Sequence, residues 1–299
     1  MLLWLALVLA AVVALWLLWR LLGVVFFAIY SRPARITINE TPADFGLEYR
    51  DVEFESEDGL KLRGWLILPP GYKPGERRAA VITTHGYSTN RSDIIKRTAA
   101  VAHGGFVVFT FDWRRCGESE GQVCTGGLTE QRDLRAAIDT LAGLPEADPE
   151  RIGIYGFSMG GVIAIIVAAA DERIKAVVAD SPFVNMREMT RHIIKSMFLP
   201  PLLFLASMDR EFKRRFGGGM MDVDTAAAVG RLSPRPFMML AGELDRVVPF
   251  WHHEKVFAAA REPKRFEINP IGGHFDNAKP ETQSNVIIPF LKRELDFGD

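Results

Sequence analysis

A serine hydroxyl is a weak nucleophile at neutral pH. It becomes effective beside a histidine that takes its proton, and that histidine needs a carboxylate to orient it. The chain offers such a serine in Gly156-Phe157-Ser158-Met159-Gly160. Residues 151–155 in front of it read as a short buried strand, announced by the turn-forming Asp148-Pro149. Residues 161–170 behind it are apolar on every face, as in a buried helix. A strand that bends sharply into a helix needs small residues round the bend. The serine at such an elbow stands exposed above the sheet, at a helix N-terminus that favours negative charge. The chemistry expected of Ser158 is attack on an acyl carbonyl.

Six histidines compete for the role of base. His274, in Gly272-Gly273-His274-Phe275, follows the last expected strand, where flanking glycines let a loop bring the ring over the sheet. His252 and His253 lie near the start of an expected helix and read as surface residues. His103 reads as a helix end, and His192 belongs to an inserted segment. For the acid, Asp245 in Gly242-Glu243-Leu244-Asp245 comes directly after a strand, with Asp180 and Glu243 as alternatives. The histidines and carboxylates show no tight metal-ligand spacing such as H-E-x-x-H, so neither metal nor cofactor is expected.

Those residues need a frame. Residues 47–55 and 60–68, on either side of Glu57-Asp58-Gly59, read as a β-hairpin. Residues 79–84 form a short β-rich run, followed by a helix over 92–102. Residues 106–111 are nearly bare Val and Phe, the mark of a strand buried on both faces. Leu134, Ile138 and Leu141 fall at helical spacing. Strands are expected at 174–179, 237–240 and 265–268, with helices from Trp251 and from about residue 282. Strands alternating with helices imply right-handed βαβ units and a mostly parallel sheet covered on both faces, here led by two antiparallel strands.

On these residues, and on the order Ser158, Asp245, His274, the chain resembles the α/β-hydrolase superfamily from about residue 47 onward. It is most similar to the single-domain esterase, lipase and acylaminopeptidase-like serine hydrolases, membrane-anchored ones included. The resemblance implies that the strand before the first core helix ends in His85-Gly86-Tyr87-Ser88, and that the backbone N–H groups of Tyr87 and Met159 form the oxyanion hole. His85 would brace that loop. The chain lacks a His-Gly-Gly-Gly run. In Asp112-Trp113-Arg114-Arg115-Cys116-Gly117, Arg115 stands where the family's Asp-x-Arg-Gly-x-Gly loop has its first glycine.

Residues 1–19 are apolar without interruption, Arg20 breaks the run, and 21–30 resumes it. Such a helix is long enough to span the hydrocarbon core. A cleaved signal peptide would want a basic n-region, a shorter apolar run and a small-x-small cleavage site, and Ile29-Tyr30-Ser31 is a poor one. The expected organisation is a transmembrane anchor over 1–30, a linker over 31–46 and a catalytic domain over 47–299. A chain starting near Arg35 is expected to be soluble and active. Arg20, Arg32 and Arg35 follow the apolar run, which puts the catalytic domain on the cytoplasmic face. Cys116 and Cys124 read as free thiols, and a net charge of −1 gives no footprint for nucleic acid.

Residues 183–233 are expected to form an inserted helical cap. Its Met197-Phe198-Leu199-Pro200-Pro201-Leu202 stretch is too apolar for an ordinary loop, so Phe198 and Leu202 are expected to contact acyl substrate. The function expected of the whole is hydrolysis of carboxylic esters of small-molecule or lipid-like acyl substrates through an acyl-enzyme. Thioesterases, acylaminopeptidases and amidases share this machinery. A silent hydrolase fold used for binding would show a lost triad residue, and none is lost.

Overall fold

The computed structural model describes residues 1–295, the side chain of Leu203 apart. The expected hairpin is β1 (Tyr49–Glu55) and β2 (Lys61–Ile67), paired antiparallel. There follow β3 (Arg78–Thr84), β4 (Val107–Phe111), β5 (Ala147–Phe157), β6 (Ile174–Asp180), β7 (Phe237–Gly242) and β8 (Lys264–Asn269). One eight-stranded sheet results, in the order β1-β2-β4-β3-β5-β6-β7-β8. β2 runs antiparallel to β4, and every pairing beyond β4 is parallel. The fully apolar runs lie at the centre, as both-face burial requires: every residue of β4 is buried, whereas β1 at the edge alternates.

Asp148-Pro149 differs from expectation. It lies inside β5 and not in a turn before it, where the register against β3 shifts between Arg78 and Ala80. An irregularity of this kind is where a strand tolerates a residue without an N–H.

The helices that position the site are α1 (Leu2–Tyr30), α2 (Ile95–His103), α3 (Glu130–Gly143), α4 (Met159–Ala168), α5 (Met186–Ser196), α6 (Pro201–Phe216), α7 (Thr225–Val229) and α8 (Phe250–Ala259). One sheet face packs on α3, α4 and the insertion that carries α5, α6 and α7. The other packs on α2 and the closing helical turns that end with Ile288–Glu294. Cys116 and Cys124 are free and buried, and a hydrogen bond between them pushes the Cys124 thiol up.

The N-terminal helix does more than precede the domain. Residues 1–18 are exposed, but Phe27 is part of the main core. Phe27 meets Phe212 of α6 edge-on at 5.1 Å, Phe26 lies 5.4 Å from Phe204, and Arg20 pairs with Glu211 at 3.7 Å. The segment that follows is stitched down as well. Arg35 donates to the carbonyls of Gly117 and Ser119 at 2.8 and 2.7 Å, and Asn90 donates to the Ile36 and Thr37 carbonyls. A chain starting at Arg35 would uncover Phe212, which Phe27 covers here.

Candidate active site

The bend between β5 and α4 explains its own glycines. A Cβ on Gly160 would stand 2.5 Å from the Thr84 carbonyl oxygen, and one on Gly156 would stand 2.4 Å from that of Gly160. Backbone approaches this close exclude any side chain. Ser158 takes φ 53° and ψ −120°, a left-handed conformation costly for a residue with a Cβ. Its N–H donates to the Asp180 carbonyl at 2.7 Å, which helps hold it there. The side chain faces a cavity of about 340 Å³.

His274 reaches the wall of the same cavity from the loop after β8. Its Nδ1 lies 2.6 Å from Asp245 Oδ2. The other oxygen of Asp245 accepts the Val247 and Val248 N–H groups, both at 2.8 Å, so the carboxylate is fixed from both ends. With Nδ1 committed to Asp245, Nε2 is the nitrogen left to exchange a proton. Asp180, the first alternative acid, is engaged elsewhere. It accepts two hydrogen bonds from Arg97, at 2.8 and 3.0 Å, and one from Asn277 at 2.8 Å, in full burial. Glu243 is exposed.

Tyr87 and Met159 both line the cavity beside Ser158. Met159 opens α4, where an N–H has no partner within the helix. The Tyr87 N–H has no hydrogen-bond partner among the described residues. His85 sits beneath them, fully buried: its Nε2 accepts the Trp113 N–H at 3.1 Å and its Nδ1 lies 2.8 Å from the Gly86 carbonyl. These contacts require the neutral ring with its proton on Nδ1, and burial holds its pKa down accordingly. Arg115 takes φ 69°, so the chain keeps at that point the backbone shape a glycine would adopt, at a cost of roughly 1–2 kcal/mol.

Two expectations need correction. Phe198 and Leu202 do not line the cavity; they are 98% and 83% exposed. Phe198 sits in the turn between α5 and α6, and Leu202 stands in the first turn of α6. The cavity is lined instead by Met189, His192, Ile193 and Ser196 of α5. Their i, i+3, i+4, i+7 spacing is one helix face, a signal present in the sequence. His252 and His253 are buried, not superficial. His252 accepts the Val184 N–H at 3.2 Å, and burial lowers the two to about 3 and about 4, so both are neutral at physiological pH. The cavity wall also includes Tyr30 of α1, which no spacing argument pointed to.

Comparison with known proteins places this geometry. The profile of the X-Pro dipeptidyl-peptidase family (S15) matches residues 58–283. The uncharacterized protein YfhR of Escherichia coli strain K12 is 30% identical over 268 residues, which cover 86% of each chain. The esterase Pf2001 of Pyrococcus furiosus superposes with a TM-score of 0.70 at 26% identity, over 89% of this chain and 99% of that one. Polyketide transferase claH of Penicillium crustosum is 35% identical over 170 residues, 56% of this chain and 54% of its own.

Proposed function

The chain belongs to the S15 (X-Pro dipeptidyl-peptidase) family of α/β-hydrolases, and from that premise we propose that it is a membrane-anchored serine hydrolase acting on carboxylic esters of apolar acyl chains. The observation that carries this reading is the 2.6 Å contact of His274 with Asp245 on a cavity wall shared with Ser158 at its elbow. Ser158 Oγ attacks the ester carbonyl as His274 Nε2 takes its proton. Asp245 holds the imidazole tautomer and stabilises the imidazolium. The Tyr87 and Met159 N–H groups receive the alkoxide, and each such donor is worth roughly 3–4 kcal/mol of barrier. His274 then passes the proton to the departing alcohol. It next activates the water that frees the acid from the acyl-enzyme.

The cavity lining supports esters over peptides. A dipeptidyl-peptidase must hold its substrate's free ammonium group, which calls for a carboxylate. No Asp or Glu is among the described residues lining the cavity, whose ionisable side chains besides His274 are His192, Arg246, Tyr30 and Tyr87. Apolar groups such as Phe157, Phe183, Met189 and Phe275 suit an acyl chain. Two observations support a retained anchor. The helix Leu2–Tyr30 is long and apolar enough to cross a membrane, and cleavage near residue 31 would take Phe27 out of the core. The arginines after the apolar run favour a cytoplasmic catalytic domain.

The test is labelling and turnover of the full chain. A fluorophosphonate should label the wild type, and Ser158→Ala should lose both labelling and p-nitrophenyl ester hydrolysis. Asp245→Asn should lower turnover by about 10⁴ with the fold intact. Asp180→Asn should act on stability instead, since it strands the buried Arg97 charge at a cost of about 3–5 kcal/mol. Undiminished labelling of folded Ser158→Ala overturns the reading.

A further inference from the structure

The loop that carries the Tyr87 N–H is not held by its own backbone preferences. Ser88, the next residue, takes φ 61°, a conformation that persists only where surroundings impose it. His85 and Thr89 hold the loop locally through the Gly86 carbonyl, at 2.8 and 3.2 Å, and a further contact comes from the N-terminal helix. The Tyr87 hydroxyl donates to the Tyr30 carbonyl oxygen, one of the last-turn carbonyls that α1 cannot satisfy internally. The two rings stack at 5.2 Å with planes 17° apart. Burial pushes the Tyr87 phenol up, so it stays a donor.

Tyr30 is gripped in its turn. Its hydroxyl sits only 2.4 Å from where a Cβ on Gly126 would stand, and Gly126 has φ 73°, so nothing but glycine fits. The Ser31 carbonyl accepts the Cys124 N–H at 2.8 Å. Upstream, Phe26 and Phe27 are clamped by Phe204 and Phe212 of α6. One continuous chain of contacts thus runs from α6 through the end of α1 to the amide beside Ser158.

Resting on the reading of Tyr87 as an oxyanion donor, we propose that the last turn of α1 belongs to the catalytic apparatus. Tyr30 and the Tyr87 hydroxyl are positioning residues: through the carbonyl contact and the ring stack they aim the Tyr87 N–H at the developing alkoxide. The helix that would hold the enzyme in a membrane also holds its oxyanion hole in shape.

The experiment compares full-length wild type, Tyr87→Phe, Tyr30→Leu and the double variant in detergent, with p-nitrophenyl butyrate as substrate and a burst titration to count working sites. Tyr87→Phe keeps the backbone N–H and the ring and loses only the clasp. It should lower kcat per titrated site about tenfold, with KM within about twofold, and slow phosphonylation of Ser158 by the same factor. Tyr30→Leu keeps the carbonyl acceptor and removes the ring stack; it should lower kcat per site in the same way, and carries the test if Tyr87→Phe folds poorly. The double variant removes both the hydroxyl–carbonyl clasp and the ring stack, and should lose more than either single one. A merely structural role would lower the number of working sites and leave kcat per site unchanged. That result, with Ser158→Ala inactive, overturns the proposal and leaves the hydrolase reading standing. Turnover retained in Ser158→Ala would overturn both.

Discussion

Helix α4, and α1 apart from Arg20, are apolar on every face, and they meet opposite fates. All ten residues of α4 are buried, wedged between the sheet, α3 and α7. The most apolar stretch of α1 has no protein cover at all, and only Gly23 and Phe27 of the helix are buried. Composition therefore says that a segment avoids water and does not say what covers it. Length separates the two cases: Met159–Ala168 is about 15 Å long and fits inside a domain, whereas Leu2–Tyr30, at about 43 Å, exceeds the hydrocarbon thickness of a bilayer.

The contrast is sharpest for a buried charge. Ile163→Asp in α4 puts an unpaired carboxylate where no water reaches and should cost more than about 4 kcal/mol, read as loss of the cooperative thermal transition. Leu9→Asp, at a position 65% exposed, should leave that transition in place while costing about 2.5–3.5 kcal/mol of membrane insertion, read by carbonate extraction. Equal destabilisation by both would mean that α1 is an ordinary core helix.

The seam between the two regimes runs through the last turns of α1. Phe27→Ala should cost about 3–5 kcal/mol of thermal stability in detergent, like a core aromatic. Ile29→Ala, two residues on and 70% exposed, should cost less than about 0.5 kcal/mol. A small effect at Phe27 would place the seam beyond Tyr30.

The smallest effect is expected at the exposed turn between α5 and α6. Phe198→Ser should change kcat/KM for butyrate and octanoate esters by less than about twofold, because the side chain lies off the cavity. A fluorophore on Phe198→Cys in nanodiscs should be quenched by spin-labelled lipid if this surface is covered as α1 is. A selective rise in KM for octanoate would instead return Phe198 to the substrate path.

Much of the frame was legible because each element is locally consistent. The bare Val/Phe run of β4, the glycines round Ser158 and the strand-end positions of Asp245 and His274 all follow from short-range rules. Choosing Asp245 over Asp180 was harder to settle from sequence, since both follow strands; what divides them is that Arg97 and Asn277 reach Asp180 from distant segments. The insertion misled for a related reason. Apolarity marked Phe198 and Leu202 as contact residues, but facing is decided by helix phase, and the phase of α5 points Met189, His192, Ile193 and Ser196 inward. The burial of His252 and His253 depends on what packs over the start of α8. Tyr30 was out of reach altogether, because its partner lies 57 residues away across the fold.

The clamp of α6 on α1 also sets an order in time. About 170 residues separate Tyr30 from Pro201, so the first helix leaves the ribosome long before the element that grips it exists. At roughly 5–20 residues per second, the interval is on the order of ten to thirty seconds. Through that interval the first six strands and the elbow are being made, and α1 has no α6 to grip it. Asp245 and His274 follow α6 in the chain, so the grip on α1 can form before the last members of the proposed triad are made.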